Sequence, residues 1–168
     1  QYLDFFESFL RKCKYLVSPS VAPIKIKTEG TNQIKVIIVG YGPIGKKIAH
    51  IAHKNGYTPI IIENNIDTVS DIENPFSILF GNAVDSTILE EAHLREARYL
   101  FITIPAMEAT MGIIDTARQT NPKIQIIARI AYISEEQTMD ALKVRHICSE
   151  KEALEEFKVL TQELLIPT

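Results

Sequence analysis

Cysteine is scarce in this chain: Cys13 and Cys148 are the only two among 168 residues. They lie far apart and form no CxxC pair, which argues against a disulfide framework or a metal knuckle and fits a reducing compartment. Long apolar runs are missing as well. None approaches the roughly 18 to 20 residues that a membrane span needs, and no signal-peptide pattern opens the chain, so the residues as given read as soluble. Gln1 stands where an initiator methionine would, so the sequence reads as an excised piece, and the missing span then says nothing about a parent protein. Positive charge has no excess either. The 18 Lys+Arg against 21 Asp+Glu give a formal net charge of -3, without the general attraction to phosphate backbones that marks a dedicated nucleic-acid binder. What is present, 46% hydrophobic and 23% charged residues, fits one globular domain able to bury a core.

The pattern changes near residue 33. Before it, Phe6, Phe9, Leu10, Cys13, Leu16 and Val17 recur at helical spacing, with Arg11, Lys12 and Lys14 mostly on the other side. This reads as a short amphipathic helix over about Tyr2 to Leu16, followed by a connector through Ser18–Pro23 and Thr28–Gln33. Residues 1–33 are thus helix and linker, and 34–168 the main domain. The helix either packs on its own domain or acts as a lever toward something upstream or a twin subunit.

From Ile34 onward β-rich runs alternate with helical patterns. IKVIIV, TPIIIE, SILF, YLFITI, IQIIARI and RHIC are the expected strands, nearly continuous in apolar residues as when both faces of a parallel sheet are covered. Helices are expected over Pro43–Asn55, Ile66–Glu73, Ser86–His93 and Ala106–Thr120, the last closing before Asn121-Pro122. Two more open on capping-box signals, Ser134 with Gln137 and Ser149 with Glu152; the final one, to about Leu165, carries Leu154, Phe157, Leu160 and Leu164 on one face. This alternation predicts an α/β fold, a Rossmann-like doubly wound parallel sheet of about six strands with helices on both faces.

Gly40, Gly42 and Gly45 form G-x-G-x-x-G between the first strand and the first helix. In that context they supply a tight turn, close approach of backbone to a pyrophosphate and close packing of helix on strand, while phosphate sits on free helical N–H groups. Glu63 closes the second strand, 18 residues past Gly45, where a carboxylate can accept hydrogen bonds from both hydroxyls of an adenosine ribose. It would repel a 2′-phosphate, so NAD(H), AMP or ATP fits better than NADP(H). Gly81-Asn82-Ala83 with Asp85, and Thr103-Ile104-Pro105, follow the third and fourth strands and are placed to reach base and ribose. Arg129 closes the fifth strand, where its guanidinium can meet phosphate, meet a partner chain's carboxylate, or sit on the sheet edge.

The ordered series VIIVGYGPIGKKIA, IIIENN, LFGNAVDSTILEEAHLREARYLFITIP and IIARI resembles the RCK/KTN (TrkA-N type) family, the regulatory nucleotide-binding domain of potassium channels and transporters. The likeness covers about Ile34 to Ile147 and is strongest to the cytoplasmic C-terminal domain of glutathione-regulated potassium-efflux and related bacterial cation/proton antiporters. It implies a homodimer of Rossmann-like domains that binds an adenine nucleotide, with AMP or NAD(H) favoured and ATP a third candidate. It implies an attached transmembrane antiporter upstream, at the cytoplasmic face of the bacterial inner membrane, and no nucleic-acid partner. The implied cofactor-binding residues are Gly40, Tyr41, Gly42, Pro43, Ile44 and Gly45 in the phosphate turn, then Glu63 and Asn64, Asn82 and Ala83, Thr103 and Ile104, and Arg129. One departure stands out: the family pattern Gly-Asp-Ala is Gly81-Asn82-Ala83 here, so no charge is offered to the base.

A dehydrogenase would need a substrate domain and a general acid or base beside the nicotinamide. Only one helix follows Cys148. His50 and His53 stand three apart on the first helix with no third ligand apparent, and read as a solvated helix face. No G-x-S-x-G elbow occurs and no P-loop Lys-Ser/Thr follows the glycines. The expectation is a sensor without catalytic or metal residues, with the cofactor half of an NAD-dependent oxidoreductase as the alternative.

Overall fold

The computed structural model describes residues 34–70 and 76–165. The expected helix of residues 2–16 and its linker lie outside the described residues. Six strands form a single parallel sheet in the order β3-β2-β1-β4-β5-β6: β1 (Lys35–Val39), β2 (Thr58–Glu63), β3 (Ser77–Phe80), β4 (Ala97–Ile102), β5 (Gln125–Ile130) and β6 (Arg145–Cys148). The helices are α1 (Pro43–Lys54), α2 (Ile66–Ser70), α3 (Ser86–Glu91), α4 (Met107–Thr120), α5 (Glu136–Ala141) and α6 (Ser149–Leu165), with 3-10 turns at Leu94–Glu96 and Ile133–Glu135. The order reverses between β1 and β4, the topological switch point of a doubly wound sheet. This is the Rossmann-like architecture that the sequence predicts.

Because side chains alternate across a strand, the sheet sorts its residues into two layers. Ile37, Val39, Ile62, Leu100, Ile102 and Ala128 face one side, sealed by Ile88 and Leu89 of α3, Ile113 and Ile114 of α4 and Met139 of α5. Val36, Ile38 and Ile61 face the other, with Ala49 of α1, Tyr41 and Phe76. The expectation that both faces are covered holds for β1 and β2, which are almost wholly buried. It fails at β4 and β5, where Tyr99, Phe101, Ile127 and Arg129 stay half-buried on the second face. Among the described residues, α1 is the helix that shields that side near β1, and α6 buries none of its residues.

Local chemistry moved several boundaries. β4 begins two residues before the predicted YLFITI and ends at Ile102, since Ala97 pairs with Lys35 across a register shift. Neither predicted capping box forms. Instead of Ser134, the Glu135 carboxylate accepts from the N–H groups of Ala131 at 2.9 Å and Tyr132 at 3.0 Å. Ser149 is the first residue of α6 and its hydroxyl is turned to Arg129. At α3 the cap is Asp85, which accepts from Thr87 N–H at 2.9 Å, and that helix ends two residues short of the left-handed His93. His50 and His53 share an exposed helix face, as the sequence predicts, and their rings also pack edge-on against Phe76 at 5.1 and 5.8 Å.

Candidate functional site

Strand register lines up the candidate residues. Val39 is level with Ile62 and with Ile102, Glu63 with Phe80, and Ile102 with Ala128. One residue further along, Glu63, Gly40, Thr103 and Arg129 therefore form a row at the carboxyl ends of four neighbouring strands. Hydrogen bonds tie together the ends of β3, β2, β1 and β4: Gly40 N–H donates to Ile62 O, Thr103 N–H to Val39 O and Gly81 N–H to Glu63 O, each at 2.9 Å. By the alternation of the strands, these side chains stand on the same face as α1.

The glycine turn is held from both sides. Gly40 has φ +90, a conformation that L side chains rarely adopt, and a Cβ there would lie 2.8 Å from Thr103 Oγ1 and 3.0 Å from Ile104 Cγ2. Thr103, buried, donates its hydroxyl to the carbonyls of Val39 at 2.9 Å and Gly40 at 3.1 Å. At Gly45 an added Cβ would lie only 2.0 Å from the Gly40 carbonyl oxygen, so helix and turn touch directly. Gly42 differs: its φ is -66 and nothing lies within 4 Å of a Cβ built there. It is the N-cap of α1, has no side-chain cap, and is followed by Pro43 at the first helical position. The first-turn N–H groups of Ile44 and Gly45, which no helical carbonyl reaches, follow this open position at the positive end of the helix dipole.

Glu63 closes the other side of the turn. Its Oε2 accepts from Tyr41 N–H at 2.7 Å, and its Oε1 accepts from the N–H groups of Asn64 and Asn65 at 2.8 Å. The side chain is buried at 9% exposure. Three of a carboxylate's roughly four lone-pair positions are thereby committed to the protein, so Glu63 fastens the β1 turn to the β2–α2 loop and leaves about one acceptor position for a ligand donor. Asn65, absent from the sequence expectations, extends this brace: its Oδ1 accepts from Asp67 N–H at 2.9 Å at the start of α2. The Asn that follows Glu63-Asn64 was the one available signal for it.

The remaining candidates divide. Asn82 is exposed and its Oδ1 accepts from Val84 N–H at 3.1 Å in a local turn, which leaves its amide nitrogen to the crevice. The Ala83 side chain is in the core, and half-buried Ile104 packs against that core, so both offer backbone more than side chain. Pro43 and Ile44 are exposed at the mouth. Arg129 lies in the row, but its Nε donates to Ser149 Oγ at 2.8 Å, leaving the terminal guanidinium nitrogens to other acceptors. Ser149 as this partner was not read from the sequence, where it looked only like a cap. Among the described residues, no group of three or more His, Cys, Asp or Glu side chains is placed to hold a metal.

The arrangement presents backbone donors, a helix N-terminus and one buried carboxylate around an open notch, a set suited to holding a phosphate with an attached ribose. The family model described as the TrkA-N domain matches residues 36–150. A protein of Escherichia coli K12 named "Putative cation/proton antiporter YbaL" is 33% identical over 106 residues, covering 59% of this chain and 19% of that protein; the chain thus spans about a fifth of that relative. The crystal structure of the TrkA-N domain of YbaL superposes with a TM-score of 0.69 at 27% identity, over 79% of this chain and 98% of that one. The C-terminal domain of Kef from Shewanella denitrificans, solved in AMP-bound form, has a TM-score of 0.71 at 24% identity, over 80% of this chain and 83% of that one. At that identity the Kef likeness speaks to fold.

Proposed function

The chain belongs to the TrkA-N domain family, and from that premise we propose that it is the nucleotide-sensing regulatory domain of a monovalent cation/proton antiporter or potassium-efflux system. Its ligand is an adenine nucleotide, AMP or NAD(H) before ATP. The observation that carries this reading is the open notch at Gly42, faced by the α1 N-terminus and bounded by a Glu63 carboxylate too buried and too anionic to accept a 2′-phosphate. In this reading the phosphate rests on the N–H groups of Ile44 and Gly45, the ribose donates to the remaining acceptor position of Glu63, and Asn82 and Thr103-Ile104 flank the base. The domain acts without catalysis. That the Kef domain was captured with AMP and that YbaL is named as an antiporter support the assignment.

A second copy of the domain completes the sensor. α6 carries Leu154, Phe157, Leu160 and Leu164 exposed at 43% to 79%, an apolar stripe that the other described residues leave uncovered, and a twin subunit is the surface we assign to it. A ligand then regulates by preferring one arrangement of the pair, since equal affinity for both would shift nothing. Among the described residues no helix is long and apolar enough to cross a membrane, and the transmembrane body is assigned to sequence upstream.

The test is a thermal-shift panel of AMP, ATP, NAD and NADH on this chain. A ligand at a hundred times its Kd stabilises the folded state by about 2.7 kcal/mol, a readily measured rise in Tm. The expected result is stabilisation by AMP or NADH; no shift from any of the four at millimolar concentration contradicts the reading.

A further inference from the structure

A second concavity lies at the other end of the same sheet. It is an open groove of about 410 Å³ lined chiefly by Val36, Ile48, Ile51, Tyr57, Tyr99 and Phe101. Val36 is the second residue of β1, and Tyr57 immediately precedes β2, so the groove begins at the amino-terminal edge of the strands, opposite the glycine turn. Its floor is aromatic: Tyr57 and Tyr99 meet edge-on at 6.1 Å, and Tyr99 and Phe101 lie 6.4 Å apart. Its wall is α1, from which Ile51 projects at 51% exposure. Apolar surface of this kind on a folded domain marks a contact site. Its volume suits a few side chains at helical spacing rather than a whole helix.

We infer that this groove receives the apolar stripe of the chain's own amino-terminal segment, Phe6, Phe9, Leu10 and Cys13. Two observations select this occupant. The segment enters the domain at Ile34, whose carbonyl accepts from Thr58 N–H at 3.1 Å, which puts the entry point beside Val36 and Tyr57 at the groove itself. The residues between Val17 and Ile34, at roughly 3.3–3.6 Å each when extended, reach any point along it, and the tether raises the local concentration of the stripe to the millimolar range. The stripe also matches in kind, with aromatic and aliphatic side chains at i, i+3, i+4 and i+7 meeting an aromatic and aliphatic trough. α6 is the competing apolar helix, but it leaves the sheet at Cys148, on the carboxyl edge. Docking joins the entry segment to the middle and carboxyl-terminal part of α1, the helix whose amino terminus forms the glycine notch, so the two ends of one helix serve two contacts.

Cys13 supplies the test in the full chain. Ile51→Cys places a thiol in the groove, while Cys148 is buried and out of reach. Under mild copper-catalysed air oxidation, a disulfide between Cys13 and the new thiol is expected within one chain, at least tenfold faster than in a Gln119→Cys control on α4. Equal rates at the two positions overturn the inference, and so does a product joining two chains, which assigns the groove to a twin. Independently, Phe6→Asp with Phe9→Asp is expected to raise amide exchange over residues 48–57 in an otherwise unmodified chain; unchanged exchange overturns it. Neither readout involves nucleotide, so failure here leaves the sensor reading standing, and failure of nucleotide binding leaves this one standing.

Discussion

The two faces of this sheet are built to different standards of closure. On one, Leu100, Ile102, Ala128 and Ile130 are at most 2% exposed beneath α3, α4 and α5. On the other, α1 covers β1 and β2, and the same two neighbouring strands present Tyr99, Phe101, Ile127 and Arg129 half-open. Three of the side chains proposed for the ligand, Glu63, Thr103 and Arg129, stand on the less closed face. The sealed face holds the fold together, and the other is the one to which we assign the proposed partners: a nucleotide at the carboxyl edge, the entry segment at the amino edge, and a twin at α6.

The sharpest break of that contrast comes from adjacent positions on β4. Leu100→Ala empties the sealed face and is expected to cost about 2–5 kcal/mol in urea unfolding. Phe101→Ala removes a larger side chain from the open face, yet should cost less. A greater loss at Phe101 would mean that its face is already sealed. Next, Gly45→Ala forces a Cβ against the Gly40 carbonyl, and overpacking there should destabilise by about 1–3 kcal/mol and lower nucleotide affinity with it. Unaltered stability on thermal melting would show that helix and turn part more easily than their contact implies.

Glu63→Ala leaves the N–H groups of Tyr41, Asn64 and Asn65 without their acceptor and removes the proposed ribose contact. Adenosine binding should weaken by about 1–3 kcal/mol, with a lower Tm even before ligand is added. Full affinity in calorimetry would place the ribose elsewhere. The smallest effect is at the surface, where Lys35 bonds Glu96. That hydrogen bond, then the ammonium charge, holds the Glu96 carboxyl below its ordinary 4.5. The pair's contribution is therefore complete above the ordinary value and is lost as pH falls through the lowered one. For an exposed pair it is at most about 1 kcal/mol. The difference in stability between wild type and Glu96→Gln should shrink as pH drops below 4.5; a difference that grows would reverse the sign.

Much of this was legible in the sequence because local rules and tertiary structure agreed. Apolar runs gave the strands to within two residues, and Gly40, Gly42, Gly45 and Glu63 came together because a strand-turn-helix unit dictates where its ends fall. Legibility stopped where a side chain chose among distant partners. Ser149 and Glu152 satisfied a capping pattern, but Arg129 offered the serine a charged donor across β5 and β6. Glu135 outcompeted Ser134 because its longer carboxylate reaches two backbone donors at once. The periodicity of α6 announced an apolar face correctly, while saying nothing of whether the chain itself would cover it. Likewise, the apolar runs of β4 and β5 did not reveal that one of their faces stays partly open.

The central claim is that the notch at Gly42 is a phosphate seat. Gly42→Ala tests it most directly, because an added methyl has ordinary backbone angles and meets nothing within 4 Å, so stability should change by no more than about 0.5 kcal/mol. Calorimetric titration of AMP and NADH into both proteins should show binding to the wild type and at least tenfold weaker binding to the variant at matched Tm. Equal affinity in the two, or no binding to the wild type, would contradict the account.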